Sequence, residues 1–259
     1  TGLITLVTLA MSADDFQQWG WRIPFLLSLV LVIFGLWLRR GVGETPAFLQ
    51  LEASKDVTQS PIREVFTQHM RPLLIAGGSR IGSDVLYALV VVFTLTYVTT
   101  VLNLPRPLAL GATMLGAIGN AVAVPLFGAL SDRFGRRPVY IGGALAAIAW
   151  AFAFFVLLDS SQPVLICMAV VIGLLIHAAM YGPQAAFITE QFPTRVRYAG
   201  SSLAYTLAGI IGGGFAPLII TSLFKSYDST LAISAYVALA LLITLWAVWA
   251  ARETAHKPL

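Results

Sequence analysis

Charged residues are scarce in this chain of 259 residues. Lysine, arginine, aspartate and glutamate together make up 11% of it, whereas hydrophobic residues make up 58% and the mean hydropathy is +0.84. A soluble domain carries about 25% charged residues. The composition therefore excludes a soluble globular protein and predicts an all-α protein that crosses a membrane several times.

The groups that serve catalysis and metal binding are also few. The one cysteine, Cys167, lies in an apolar run and is expected to be a small core residue rather than a reactive thiol. No cluster of histidine and cysteine has the spacing of a metal site, and no set of serine, histidine and acid suggests a hydrolase. The glycine-rich stretch lacks the lysine and hydroxyl residue of a phosphate-binding loop. The sequence therefore predicts no metal, no cofactor and no enzymatic activity.

Long apolar segments are what the chain has in abundance. Crossing a bilayer core of about 30 Å takes roughly 20 apolar residues. Several segments begin at proline, which is tolerated in the first turn of a helix because its missing N–H would have no partner there. The predicted membrane helices are 24–38, 72–100, 107–130, 138–158, 163–184, 198–224 and 231–251, with a short amphipathic helix near 61–69.

The division of the chain follows from these segments. It opens inside an apolar run, Leu3 to Met11, without the basic region of a signal peptide, so we expect a chain truncated within a membrane helix. The tryptophan-bearing helices that end near Arg40 and Arg252 each lead into Glu-Thr, which indicates two halves of a larger repeat. The predicted parts are 1–40, the end of an N-terminal bundle; 41–71, a cytoplasmic linker; 72–251, a six-helix bundle; and 252–259, a cytoplasmic tail.

Basic residues are concentrated in alternate connections between the helices. Most of the sixteen lysines and arginines lie in the linker, at 133–137, at 195–197 and after 251. The opposite connections hold only Arg22, Arg106 and Lys225. Basic connections stay in the cytoplasm, so the linker and the C-terminus are predicted to be cytoplasmic. This placement accounts for a pI of about 9.4 without nucleic acid as a partner.

One arginine lies on neither side. Arg80 is inside the helix predicted at 72–100, and Asp84 and Tyr87 follow it on the same helix face. Charges within a membrane span are costly and mark substrate or proton pathways. Arg80 could hold a carboxylate with two hydrogen bonds, and Asp84 could carry a proton. The alternative is a self-neutralising pair that only holds the fold.

Other polar residues also interrupt the apolar segments. His177, with Tyr181 four residues later, is suited to proton transfer near neutral pH or, alternatively, to a hydrogen bond with a neighbouring helix. Asn120 and Gln184 could bind a substrate, although such amides more often join helices. The glycine-rich run 209–214 allows either close helix packing or a bend.

Four stretches carry a resemblance to known transporters. The signature cytoplasmic loop of the major facilitator superfamily resembles Ser131-Asp132-Arg133-Phe134-Gly135-Arg136-Arg137. One branch of that superfamily, the metabolite:proton symporters, is similar to the chain in three more stretches. These are Trp19-Gly20-Trp21-Arg22-Ile23-Pro24-Phe25, Tyr181-Gly182-Pro183-Gln184-Ala185-Ala186-Phe187 and Glu190-Gln191-Phe192-Pro193-Thr194-Arg195-Val196-Arg197-Tyr198.

The resemblance implies the fold, the substrate class and the partners. The fold is twelve helices in two six-helix bundles, of which the chain would hold part of helix 5, helix 6, the linker and the C-terminal bundle. Members of the branch bring small organic acids or zwitterions, such as shikimate, 2-oxoglutarate, citrate, proline or betaine, into bacteria with protons. The implied partners are the metabolite, the proton, the lipid bilayer of the bacterial inner membrane and the missing N-terminal bundle.

It also implies alternating access, in which two bundles rock about a site between them. Arg80 and Asp84 would face the central cavity, although the branch often has a glutamate or an amide near the position of Asp84. A proton-driven efflux antiporter and a non-transporting membrane scaffold are the alternative functions. We further predict a charge network that gates the cytoplasmic side, with single pairs contributing only about 0–1 kcal/mol. Its predicted members are Asp132, Arg133, Arg136, Glu190 and Arg195.

Overall fold

The computed structural model describes residues 7, 10–41, 58 and 60–254. The chain divides into two compact units, Thr1–Lys55 and Asp56–Leu259. Most of the helix end predicted at 1–11 and most of the linker predicted at 41–71 lie outside the described residues. So does the part of the predicted tail beyond residue 254.

The first unit contains a short helix and a long apolar one. Helix α1, Ala13–Gln18, is capped by Ser12, whose Oγ accepts a hydrogen bond of 3.2 Å from the Asp15 backbone N–H. A 3₁₀ turn, Gly20–Arg22, leads into helix α2, Ile23–Gly41. Two arginines in the last turn of α2 stabilise the C-terminal end of the helix, where the helix dipole is negative.

The second unit begins with a short helix, α3, Pro61–Gln68, and continues with six long ones. Seven of the described helices, α2 among them, are long and apolar enough to cross a membrane. The described residues contain no β-strand. These findings confirm the predicted all-α membrane fold. The six long helices are α4, Met70–Val101; α5, Arg106–Phe134; α6, Arg136–Asp159; α7, Pro163–Glu190; α8, Arg197–Tyr227; and α9, Thr230–Ala250.

Small residues and hydroxyl groups hold these helices close together. Helix α7 packs on α5 and α6, and α9 packs on α4 and α6. The Thr244 hydroxyl of α9 donates to the Gly78 carbonyl at 2.9 Å and accepts from the Gly82 N–H at 2.8 Å on α4. The buried Tyr140 of α6 donates to the Ser79 carbonyl at 2.8 Å. Such bonds join helices whose apolar faces alone would not favour each other over lipid.

The turn predicted at 131–137 is much shorter in the structure. Helix α5 continues to Phe134 and α6 starts at Arg136, so the connection is Gly135 alone. Its φ of 101° lies in the region that favours glycine. Hydropathy placed the end of α5 too early and the start of α6 too late, because the residues next to Gly135 carry polar side chains. Some of these pair with each other across the turn, as Arg136 does with Ser131 and Asp132.

Two helices contain wider, π-helical turns. In α4 these are Ala88–Phe93 and Tyr97–Val101, and in α8 the turn is Gly209–Gly214. The α8 turn coincides with the glycine run that the sequence marked for close packing or a bend. Pro217 follows at the start of the next helical stretch, where its missing N–H removes a potential donor. Turns of this kind are frequent at functional sites.

Candidate functional site

Arg80 and Asp84 form an ion pair on α4, within a predicted membrane span. Arg80 Nε donates to Asp84 Oδ2 at 2.8 Å, and the two side chains are 20% and 12% exposed. Arg80 Nη1 also donates to the Tyr205 carbonyl of α8 at 3.1 Å. Among the described residues, none accepts a hydrogen bond from Nη2. The guanidinium is therefore charge-balanced but keeps free donors.

Tyr205, which the sequence did not single out, completes this cluster. Its ring centroid lies 4.5 Å from Arg80 Cζ, so the aromatic face is in contact with the cation. The contact joins residues 125 positions apart, and no local spacing signals it.

Glycines allow α8 to approach the ion pair. A Cβ atom on Gly212 would lie 2.8 Å from the Ile81 carbonyl oxygen and 3.0 Å from Asp84 Cβ, so no larger residue fits without movement. A Cβ on Gly209 would lie 3.7 Å from Arg80 Nη2. The glycine turn thus lies directly against Arg80 and Asp84.

His177 lies in a second cluster between two tyrosines. Its ring centroid is 5.3 Å from that of Tyr87 and 5.2 Å from that of Tyr181, which it stacks on at 25°. Asn120 Nδ2 donates to the Leu174 carbonyl at 2.7 Å and lies 3.2 Å from His177 Nδ1. An amide nitrogen only donates, so this contact is a hydrogen bond when Nδ1 carries no hydrogen. The two tyrosines are each 45% exposed, whereas His177 is buried.

The two clusters lie along one stretch of α4. Arg80 and Tyr87 are seven residues apart, or roughly 10 Å along a helix axis.

Gln184 of α7 is fully buried, and neither atom of its amide has a hydrogen-bond partner within the described part of the chain. The hydroxyl of Ser83, one turn beyond Ser79 on α4, is also buried without a hydrogen-bond partner among the described residues. Unpaired buried groups of this kind are costly and mark places where water or a ligand can bind.

Arg136 is the centre of a charge network at the end of the bundle that holds the α5–α6 turn. It donates to Ser131 Oγ at 2.9 Å, to the Asp132 carboxylate at the end of α5, and to Glu190 Oε1 at 3.3 Å. Three of the five predicted gate residues therefore meet here. Arg133 instead lies with Cζ 5.4 Å from the ring of its neighbour Phe134.

Arg195 makes an ion pair with another helix. Its Nη2 donates to Glu64 Oε2 of α3 at 2.8 Å. This hydrogen bond is the main reason that the pKa of Glu64 lies below its ordinary value. Among the contacts of the predicted gate residues, one set joins α5, α6 and α7, and another joins the α7–α8 connection to α3.

Residues after α9, which the sequence did not assign to the gate, complete the network. The backbone N–H groups of Arg136 and Arg137 donate to the two carboxylate oxygens of Glu253 at 3.1 and 3.0 Å. Arg137 in turn donates to the Val248 and Trp249 carbonyls, at 3.0 and 2.5 Å. A carboxylate caps the start of α6 and an arginine caps the end of α9, each opposite in sign to the helix dipole there.

Comparison with known sequences identifies the family. The Major Facilitator Superfamily model matches residues 16–217 and 112–259. The chain belongs to the major facilitator superfamily. This confirms the resemblance carried by the basic stretch at 131–137.

Relatives within the superfamily are transporters by name. The inner membrane metabolite transport protein YhjE of Escherichia coli K12 is 34% identical over 263 residues, covering 100% of the chain and 60% of the relative. The shikimate transporter of the same organism is 33% identical over 230 residues, covering 88% and 52%. The proline/betaine transporter of Salmonella typhimurium LT2 is 31% identical over 267 residues, covering 100% and 53%. The chain thus spans about half to three-fifths of these relatives. No solved structure matches it significantly.

For a superfamily member, the arrangement on α4 has a definite chemical capacity. Arg80 can donate to a carboxylate through its free nitrogen, Asp84 can exchange a proton, and the tyrosines offer aromatic faces. Among the described residues, no group of three histidine, cysteine or acidic side chains is placed to hold a metal ion.

Proposed function

We propose that the complete protein is a proton-coupled symporter for a small organic acid or zwitterionic metabolite in the bacterial inner membrane. The observation that carries the proposal is the Arg80–Asp84 pair, because it is an ion pair inside a membrane span with donors left free. A purely structural pair would be expected to use all of its donors. The names of the relatives, a metabolite, a shikimate and a proline/betaine transporter, support the substrate class.

In this proposal Arg80 binds the carboxylate of the substrate and Asp84 carries the proton. When Arg80 turns towards the substrate, its interaction with Asp84 weakens. The Asp84 carboxylate then binds a proton more readily, because the opposite charge beside it has moved away. Binding of substrate and proton is then linked through one ion pair. The proposed substrate and proton site consists of Arg80, Asp84, Tyr87, Asn120, His177, Tyr181 and Gln184, with the rest of the site on the N-terminal bundle.

Transport itself follows alternating access between two bundles. The proton gradient drives it, at about 2.3 kcal/mol per charge for each 100 mV. The positive-inside rule supports a cytoplasmic position for the C-terminus and for the network around Arg136. We assign Asp132, Arg133, Arg136, Glu190 and Arg195 to a gate there, with residues 41–71 as the linker between the bundles.

The test is uptake of labelled proline, betaine and shikimate by cells that produce the complete protein, with and without an uncoupler. Asp84→Asn is expected to abolish proton-driven uptake while exchange of labelled for unlabelled substrate continues. Asp228→Asn is the matched control, because Asp228 lies between α8 and α9 at a φ of 46°, which asparagine also adopts. Equal loss of uptake and exchange in a folded Asp84→Asn protein would contradict the proton role. Greater accumulation of a compound in cells without the protein would indicate efflux instead.

A further inference from the structure

We propose that Tyr205 is a positioning residue that fixes the Arg80 guanidinium so that its Nη2 edge meets the substrate carboxylate. This inference rests on the proposed function and extends it to the second helix of the site, α8. Tyr205 contacts Arg80 twice, once through its ring at 4.5 Å from Cζ and once through its carbonyl oxygen at 3.1 Å from Nη1.

The contacts leave the guanidinium little freedom. Asp84 accepts from Nε at 2.8 Å, Tyr205 accepts from Nη1, and the Tyr205 ring covers one face of the planar group. A guanidinium has five N–H donors in a fixed plane, so holding Nε, Nη1 and one face sets the direction of the rest. One Nη2 hydrogen runs parallel to Nε–H on the Asp84 side, and the other lies at the end of the group beside Nη1. Among the described residues, none accepts a hydrogen bond from either of them.

The sequence of α8 keeps the space beside Nη2 open. Gly209 lies one turn beyond Tyr205, and a Cβ atom there would be 3.7 Å from Nη2. A branched side chain at this position would extend over the nitrogen, whereas glycine leaves it uncovered. Gly212, which meets the backbone of α4 at Ile81, lets the two helices approach closely enough for Tyr205 to reach Arg80.

Positioning differs from space filling in what it predicts. A residue that only fills space would affect all ligands alike when it is replaced. A residue that directs Nη2 would affect carboxylates more than their amides, because only the carboxylate gains from an aligned, charged donor. Preference for a carboxylate over the matching amide is therefore the diagnostic quantity.

The experiment measures uptake of labelled proline by the complete protein, with unlabelled proline and prolinamide as competitors. Tyr205→Leu is expected to raise the KM for proline about five- to thirty-fold, the range of a partly desolvated cation–π contact, and to reduce the preference for proline over prolinamide. Tyr205→Phe keeps the ring and is expected to stay within about two-fold of the wild type. Tyr236→Leu, a part-buried tyrosine of α9, is the control and should leave the preference unchanged.

Two further measurements apply if Tyr205→Leu does not fold or if the wild type takes up no proline. If Tyr205→Leu does not fold, Gly209→Val is used, since covering Nη2 should reduce the same preference. If the wild type takes up no proline, symport of this substrate fails, but positioning is still tested by the protection that acetate gives Arg80 against phenylglyoxal, read by mass spectrometry. Acetate should protect Arg80 in the wild type and less in Tyr205→Leu. An unchanged preference, or equal protection in both proteins, overturns the proposal.

Discussion

Replacing Glu253 with alanine is expected to destabilise the end of the bundle that holds the α5–α6 turn. The carboxylate of Glu253 accepts hydrogen bonds from the first two N–H groups of α6, those of Arg136 and Arg137. Loss of such a cap costs about 0.5–2 kcal/mol, and loss of a negative charge at the positive end of a helix costs about 0.3–1 kcal/mol more. Because water can reach this end and replace the bonds, the total is expected to be about 1–3 kcal/mol.

The assay is thermal unfolding of the purified protein in detergent, followed by circular dichroism. For a chain of this size about 1 kcal/mol changes Tm by about 2–4 °C, so the Tm of Glu253→Ala should fall by roughly 2–12 °C. Glu253→Gln, which keeps the length and one acceptor but not the charge, should lose about half as much. Glu253→Asp keeps the charge on a shorter side chain, so it tests whether the carboxylate must be long enough to reach the N–H groups of Arg136 and Arg137. A Tm for Glu253→Ala within about 1 °C of the wild type would refute the role of the cap.

Two other predictions concern helix packing and pH. Gly212→Ala should lower stability by about 1–3 kcal/mol, the usual cost of overpacking, because its Cβ would lie 2.8 Å from the Ile81 carbonyl oxygen. Gly213→Ala, whose Cβ would have 3.9 Å of room to Asp84, should melt near the wild-type temperature. The lowered pKa of Glu64 means that its bond to Arg195 stabilises the fold above the ordinary value of 4.5 and that this stability is lost as the pH falls through the lowered value. The protection of the α3 amides from hydrogen exchange, measured relative to the intrinsic rate at each pH, should therefore fall in acid, and Glu64→Gln should remove that fall.

Hydropathy and spacing were sufficient for the parts of the molecule that local chemistry decides. Seven spans, their order and the shared helix face of Arg80 and Asp84 all follow from runs of apolar residues and from a separation of four. The helix ends around Gly135 were less predictable. Polar side chains there make the segment resemble a loop, while the backbone continues as helix on both sides.

Two contacts between distant parts of the chain were not predicted. Tyr205 meets Arg80 across 125 residues, and Glu253 meets Arg136 across 117. The repeated Glu-Thr after two tryptophan-bearing helices drew attention to Glu253 without indicating its partner. The π-helical turns of α4 were likewise not predicted, whereas the turn of α8 falls on the glycine run that the sequence marked for close packing or a bend.

The cap on α6 has a consequence for the order in which the protein is made. Arg136 is synthesised 117 residues before Glu253, which at about 5–20 residues per second is roughly 6–23 s earlier. During that interval the backbone N–H groups of Arg136 and Arg137 lack the Glu253 carboxylate, and Arg137 lacks the α9 carbonyls that it later contacts. A chain that stops short of residue 253 therefore lacks the carboxylate cap at the start of α6.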